Sequence, residues 1–99
     1  METWTREQWE VALKESTAAL YYLYTPMCGT CAVASKMMEV VSVMKPDMPI
    51  GKADLNYVQD LAMDYEIESV PCLLIQKDGI VQHKIYAFQS VPYLLEKIG

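Results

Sequence analysis

Cys28 and Cys31 are separated only by Gly29 and Thr30, and this C-x-x-C pair is the strongest chemical signal in the chain. Two intervening residues let both sulfurs lie across one turn, within reach of a single disulfide. Pro26 stands just before the pair and a long helical pattern follows it. A thiol at a helix tip faces unpaired backbone N–H groups and the positive end of the helix dipole, and both favour its thiolate. The thiolate is the nucleophile of disulfide exchange, so a lowered thiol pKa raises reactivity at neutral pH. Pro26 and Gly29 lift the loop at its first cysteine. Cys28 is therefore expected to attack, and Cys31 to resolve the mixed disulfide that results.

Other chemistries use the same pair. Zinc ordinarily takes four nitrogen or sulfur ligands, and beyond the pair the chain offers only Cys72, His83 and carboxylates. No metal is expected on that count. A soft metal or iron–sulfur site through Cys28, Cys31 and Cys72 is a rival reading that calls for a fourth ligand, for example from a second chain. A thiol-based sensor or adaptor that signals through its oxidation state is another. Cys72 itself reads first as a small buried residue opening a strand, and alternatively as a third redox thiol that reshuffles with Cys28. His83 falls mid-strand and is expected to face solvent rather than act as a base.

The elements around the pair follow from periodicity. Thr5 and Gln8 have capping-box spacing and Trp4 and Trp9 that of a hydrophobic staple, which predicts a first helix over Arg6 to Lys14 with Trp9, Ala12 and Leu13 inward. Ala18 to Tyr24 (AALYYLY) is a continuous apolar run that reads as a strand buried on both faces. The helix after Pro26 carries Ala32, Val33, Lys36, Met37, Val40, Val41 and Met44 as its stripe, and KPDMP ends it. Ile50 to Asp54 is a short strand. Asn56 is placed to cap a helix over Tyr57 to Tyr65. Two strands, Cys72 to Gln76 and Ile80 to Tyr86, flank the turn Lys77-Asp78-Gly79, and Ser90 caps a last helix carrying Val91, Leu94, Leu95 and Ile98. Alternation in the first half implies parallel pairing, and the second half closes as an antiparallel hairpin. The expected fold is α/β, a mixed four-stranded sheet flanked by helices, in one domain over residues 1–99.

Composition narrows the function. With 53% hydrophobic and 21% charged residues, the 99-residue chain is neither a disordered tail nor a collagen-like rod, and three cysteines are too few for a disulfide-stapled framework. A formal net charge of −5 lacks the electrostatic footprint of nucleic-acid binding and disfavours anionic membranes. The start, METWTREQWE, does not read as a signal peptide, and no apolar run approaches the ~20 residues of a membrane span. A cytoplasmic location is expected. There, thiols are kept reduced and a close cysteine pair tends to be catalytic or metal-binding.

YLYTPMCGTC followed by a long helix, together with SVPCLLIQKDG, resembles the thioredoxin family over nearly the whole chain. The resemblance implies a thioredoxin fold that lacks the usual first strand. It implies a thiol–disulfide oxidoreductase that reduces protein disulfides through Cys28 and Cys31, needs no bound organic cofactor, is recycled by a reductase, and acts as a monomer. It further implies that Pro71 is a cis-proline beside the sulfurs, that Val70 offers its backbone to a substrate strand, and that Met27, Gly29, Thr30, Val70 and Pro71 border the substrate.

Departures from the family pattern are local. Met27 replaces a tryptophan, Thr30 replaces the proline of CGPC and brings a hydroxyl near the sulfurs, and Cys72 replaces a threonine. Ala87 stands where a glycine is usual near the peptide groove, and Tyr22 occupies the position of a buried aspartate that exchanges protons with the resolving thiol. A phenol with an ordinary pKa near 10 is a poor base at neutral pH, so deprotonation of Cys31 falls to water or to another group such as Lys52.

Overall fold

Alternate residues of the central strand serve two different cores. In β2 (Ala18–Tyr24), Leu20 and Tyr22 face one side, while Ala19, Tyr21 and Leu23 face the other, and all five are closed to solvent. The computed structural model describes residues 1–99. In it β2 pairs in parallel with β3 (Ile50–Asp54) and antiparallel with β4 (Cys72–Lys77), which continues through a hairpin into β5 (Ile80–Ile85). The hairpin turn is Asp78-Gly79, with φ of 54° and 81°. Both residues lie in the left-handed region that a two-residue primed turn demands, which is what an Asp-Gly pair supplies.

The sheet has five strands, in the order β1-β3-β2-β4-β5, and this corrects the expected four. The first strand is present as β1 (Glu2–Thr3), parallel to β3 with Glu2 opposite Gly51. Two residues carry no readable period, so their pairing comes from what lies beyond them. Trp4 donates its backbone N–H to the Lys52 carbonyl at 2.9 Å, and its indole lies against Gly51, where any β-carbon would collide with the ring. The Tyr21 hydroxyl donates to the Trp4 carbonyl at 2.8 Å.

Helices cover both faces. On one, α2 (Gly29–Met44) and α4 (Val91–Ile98) pack Ala34, Met38, Val41, Leu94 and Ile98 onto Leu20, Tyr22, Leu73 and Ile75. On the other, α1 (Arg6–Glu15) and α3 (Gln59–Asp64) set Trp9, Ala12 and Leu61 against Tyr21, Leu23, Cys72 and Leu74. Trp9 stacks on Tyr21 with ring centroids 5.0 Å apart. Thr5 and Gln8 form the expected capping box, and Ser90 caps α4 by accepting from the Tyr93 N–H at 3.2 Å. Arg6 ties α1 to α3 through Asp60 and Asp64.

Two local expectations are corrected. The inner stripe of α2 is Cys31, Ala34, Met38 and Val41, whereas Ala32, Val33, Lys36, Val40 and Met44 are exposed. The helix is apolar on both sides, so periodicity alone could not phase it. Asn56 does not cap the third helix. It lies inside a 3₁₀ turn, Leu55–Tyr57, whose cap is Asp54, and α3 starts only afterwards at Gln59. Gln76 is the one polar residue among the buried set. Its Nε2 donates to the carbonyls of Ala12 and Ser16, and its Oε1 accepts from the Gly79 N–H, so it pins the end of α1 to the hairpin.

Candidate active site

β2 delivers the chain to the carboxyl edge of the sheet, and Thr25 to Met27 turn it into α2. Cys28 is the N-cap of α2, in extended conformation, with no side-chain cap of its own. Its N–H donates to the Thr25 carbonyl at 3.3 Å, and the Cys31 N–H donates to the Cys28 carbonyl at 3.2 Å, closing the first turn. Cys28 and Cys31 are joined as a disulfide with Cα atoms 5.3 Å apart. Their environments differ: Cys28 is half-exposed, whereas Cys31 keeps only 4% exposure beneath the helix. The outer sulfur therefore meets an incoming partner first.

Three groups touch the pair. The Thr30 hydroxyl lies 3.4 Å from Cys28 Sγ, and because a disulfide sulfur can only accept, the hydroxyl is the donor. The Val70 carbonyl oxygen lies 3.7 Å from the same sulfur, bringing the β3–β4 connection against the helix tip. The Val70–Pro71 peptide bond is cis. Below the pair, the Tyr22 hydroxyl donates to the Cys31 carbonyl at 3.1 Å and shares a 2.8 Å hydrogen bond with Ser35 Oγ. Burial pushes the Tyr22 phenol up, against an opposing effect from Ser35, so it is no base near neutrality. Lys52 stands opposite Tyr22 in the β2–β3 register and is half-buried.

A groove of about 370 Å³ runs beside the pair, walled by Thr30, Val33, Met37, Pro71, Tyr86 and Phe88. Ala87 also borders it. Met27 stands outside it, 95% exposed on the loop before Cys28. Gly29 is exposed, and a β-carbon there would meet open space. His83 faces solvent on β5.

Cys72 goes elsewhere. It pairs with Leu23 across the sheet and belongs to the core under α1 and α3, on the face away from the α2 stripe that contains Cys31. Burial pushes its thiol up to about 12, only partly offset by Lys84. A thiol in that state is protonated at neutral pH and inert in exchange. No group of three His, Cys, Asp or Glu side chains comes close enough to hold a metal ion, so the three-cysteine metal reading lacks its geometry. Sequence reasoning missed Ser35 beneath the pair and Tyr86 and Phe88 in the groove wall. The signal for Ser35 was a hydroxyl one turn after Cys31.

Comparisons with known proteins agree with this architecture. A family model described as thioredoxin matches residues 1–98. The thioredoxin-like protein YusE of Bacillus subtilis is 50% identical over 84 residues, which cover 85% of this chain and 79% of that one. A mutant thioredoxin from Halobacterium salinarum superposes with a TM-score of 0.86 at 21% identity, covering 99% of this chain and 86% of that one. The oxidised mitochondrial thioredoxin 3 of Saccharomyces cerevisiae gives 0.83 at 23% identity, covering 98% and 91%. No helix is long and apolar enough to cross a membrane.

Proposed function

The chain belongs to the thioredoxin family and is a thiol–disulfide oxidoreductase, and from that premise we propose that it works as a reductase of protein disulfides, with Cys28 as nucleophile and Cys31 as resolving thiol. The observation that carries this reading is the asymmetry of the pair: a half-exposed sulfur at a helix N-terminus, bonded to one buried beneath it.

The reaction starts from the reduced dithiol. The Cys28 thiolate attacks one sulfur of a substrate disulfide, forming a mixed disulfide while the other substrate sulfur leaves as a thiolate and takes up a proton. Cys31 loses its proton and attacks Cys28 Sγ. The Cys28–Cys31 disulfide forms, and the second substrate sulfur leaves as a thiol. Two electrons and two protons pass to the substrate, and a reductase returns them to the pair.

The chain's own residues divide the work. The α2 N-terminus and the Thr30 hydroxyl stabilise the Cys28 thiolate. Val70 and Pro71 hold the substrate backbone beside it, with the Val70 carbonyl already 3.7 Å from the reacting sulfur. Gly29 leaves room for the approach, and Met27 offers an adaptable apolar contact. Cys72 takes no part in turnover. A reducing cytoplasm suits a dithiol that must be regenerated and a third thiol that stays unpaired.

Reduction of insulin by dithiothreitol, followed as turbidity, tests the reading. The wild-type chain should accelerate it, and Cys28→Ser should return the rate to that of dithiothreitol alone. Equal rates for the two proteins would overturn the assignment.

A further inference from the structure

Helix α2 has two apolar stripes; the core buries one and takes from the other only Met37, which is half-buried against it. The inner stripe, Cys31, Ala34, Met38 and Val41, is buried. On the outer side Val33, Met37, Val40 and Met44 follow at intervals of four, three and four residues. Val33 is 59%, Val40 46% and Met44 55% exposed, with Val43 beside them at 78%. Only Lys36 and Glu39 carry charge anywhere on the helix. A helix that needs only to cover a sheet turns polar residues outward, so a second apolar stripe marks a contact surface. Intervals of four and three are the seam that one helix offers another.

The stripe is continuous with the redox site. Val33 and Met37 belong both to it and to the groove that Thr30 and Pro71 wall beside Cys28. From Val33 to Met44 it extends about 16 Å at the helical rise. A second copy of this chain is a poor occupant. Four or five side chains fall far short of the roughly 20–30 residues a side of a stable interface, and each copy carries a net charge of −5. Small contact areas are typical of brief redox encounters.

We propose that the outer stripe of α2 is a docking rail for an apolar-faced helix of the protein whose disulfide is being exchanged. The helix lies along Val33, Met37, Val40 and Met44 while its cysteine reaches Cys28. The proposal rests on the exchange reaction described above. It adds the class of substrate: one whose reactive cysteine adjoins an amphipathic helix. Methionine at two of the four positions lets the rail adjust to different partners.

The test uses two synthetic peptides of identical composition, each bearing an N-terminal cysteine activated as a mixed disulfide with thionitrobenzoate. One forms an amphipathic helix and the other is scrambled. The reduced protein displaces thionitrobenzoate through Cys28, then releases the peptide thiol as Cys28 and Cys31 close. The helical peptide should react about tenfold faster at sub-saturating concentration, through KM rather than kcat. Val40→Glu/Met44→Glu should bring the ratio of the two rates close to one while the variant stays folded at 25 °C by circular dichroism, because both positions are about half exposed and neither belongs to the buried core. Val11→Glu, on the exposed face of α1, should keep the full ratio. Equal rates for the two peptides with the wild type, or a ratio that survives in the double variant, would overturn the rail. So would a wild-type dimer in sedimentation that the double variant abolishes, because the stripe would then belong to a second copy. Failure of both peptides to react with the wild type would instead bring down the exchange reading beneath it.

Discussion

The Tyr22 hydroxyl donates to the carbonyl of Cys31 at 3.1 Å and exchanges a second hydrogen bond with Ser35, so a neutral hydroxyl pair sits under the redox disulfide. It anchors the first turn of α2 to the central strand. Because burial raises the phenol, the group cannot draw a proton from Cys31 near neutral pH.

Tyr22→Phe keeps the ring and removes the anchor. The Cys31 carbonyl and Ser35 lose a buried partner, which should cost about 1–3 kcal/mol. Urea unfolding of the oxidised protein measures this loss. The pH dependence of disulfide exchange should keep its shape between about pH 6 and 9, since an unperturbed phenol ionises only near 10 and burial moves this one higher. A new or lost inflection in that window would mean that the phenol takes part in proton transfer.

Gln76 is a buried amide whose role is structural. Its three hydrogen bonds join the α1 end to the Asp78-Gly79 turn. Gln76→Leu fits the apolar core but removes the amide's bonds to the Ala12 and Ser16 carbonyls and to the solvent-reachable Gly79 N–H, a loss of about 1–3 kcal/mol. Thermal unfolding should show it, while reduction of insulin at 25 °C should proceed at the wild-type rate as long as the variant remains folded.

What the sequence disclosed depended on how local each signal was. The cysteine loop, the Thr5 and Ser90 caps and the Asp-Gly hairpin each rest on a few adjacent residues, and each is found where it was expected. β1 was invisible because two residues have no period. Its place is set by Trp4 meeting Gly51, residues far apart in the chain. The phase of α2 was unreadable because both of its sides are apolar. Asp54 displaced Asn56 as a cap because the chain leaves β3 through a 3₁₀ turn. In the site, types and order were legible, whereas the Tyr22–Ser35 contact and the separation of Cys72 from the pair needed the sheet register.

Cys72 gives the protein an alkaline weakness. Its folded thiol is held near 12 against an ordinary value of 9.0, and Tyr21 near 12 against 10.0, each chiefly through burial. The unfolded chain loses these protons first, so the folded state binds more protons in that interval and stability falls as pH rises. The contribution of Cys72 is complete below about 9 and declines from there towards 12, by at most about 1.4 kcal/mol per pH unit. Tyr21 adds its own decline from 10 upward. Denaturant titrations of the oxidised protein should show the fall, and Cys72→Val should be flatter between pH 9 and 10. In the native oxidised protein at pH 7.5, Cys72 should resist iodoacetamide and react only after unfolding. Alkylation of the native state would contradict its burial.

Thr30 supplies the remaining handle on the nucleophile. Its hydroxyl already points at Cys28 Sγ from 3.4 Å in the oxidised state. Reduction puts negative charge on that sulfur, and the same hydrogen bond becomes charge-assisted and stronger. Thr30→Val preserves shape and deletes the donor. The loss of about 0.5–1.5 kcal/mol falls on the thiolate alone, so the midpoint of the pH–rate curve for alkylation of the reduced protein should move upward. Below that midpoint the rate should drop about 1.5- to fivefold, the higher nucleophilicity of the more basic thiolate offsetting part of its smaller population. Above it the rate should hold or rise slightly, because a more basic thiolate is intrinsically the better nucleophile. A uniform slowing at every pH would instead point to a distorted loop, and an unmoved midpoint would show that the helix N-terminus stabilises the thiolate unaided.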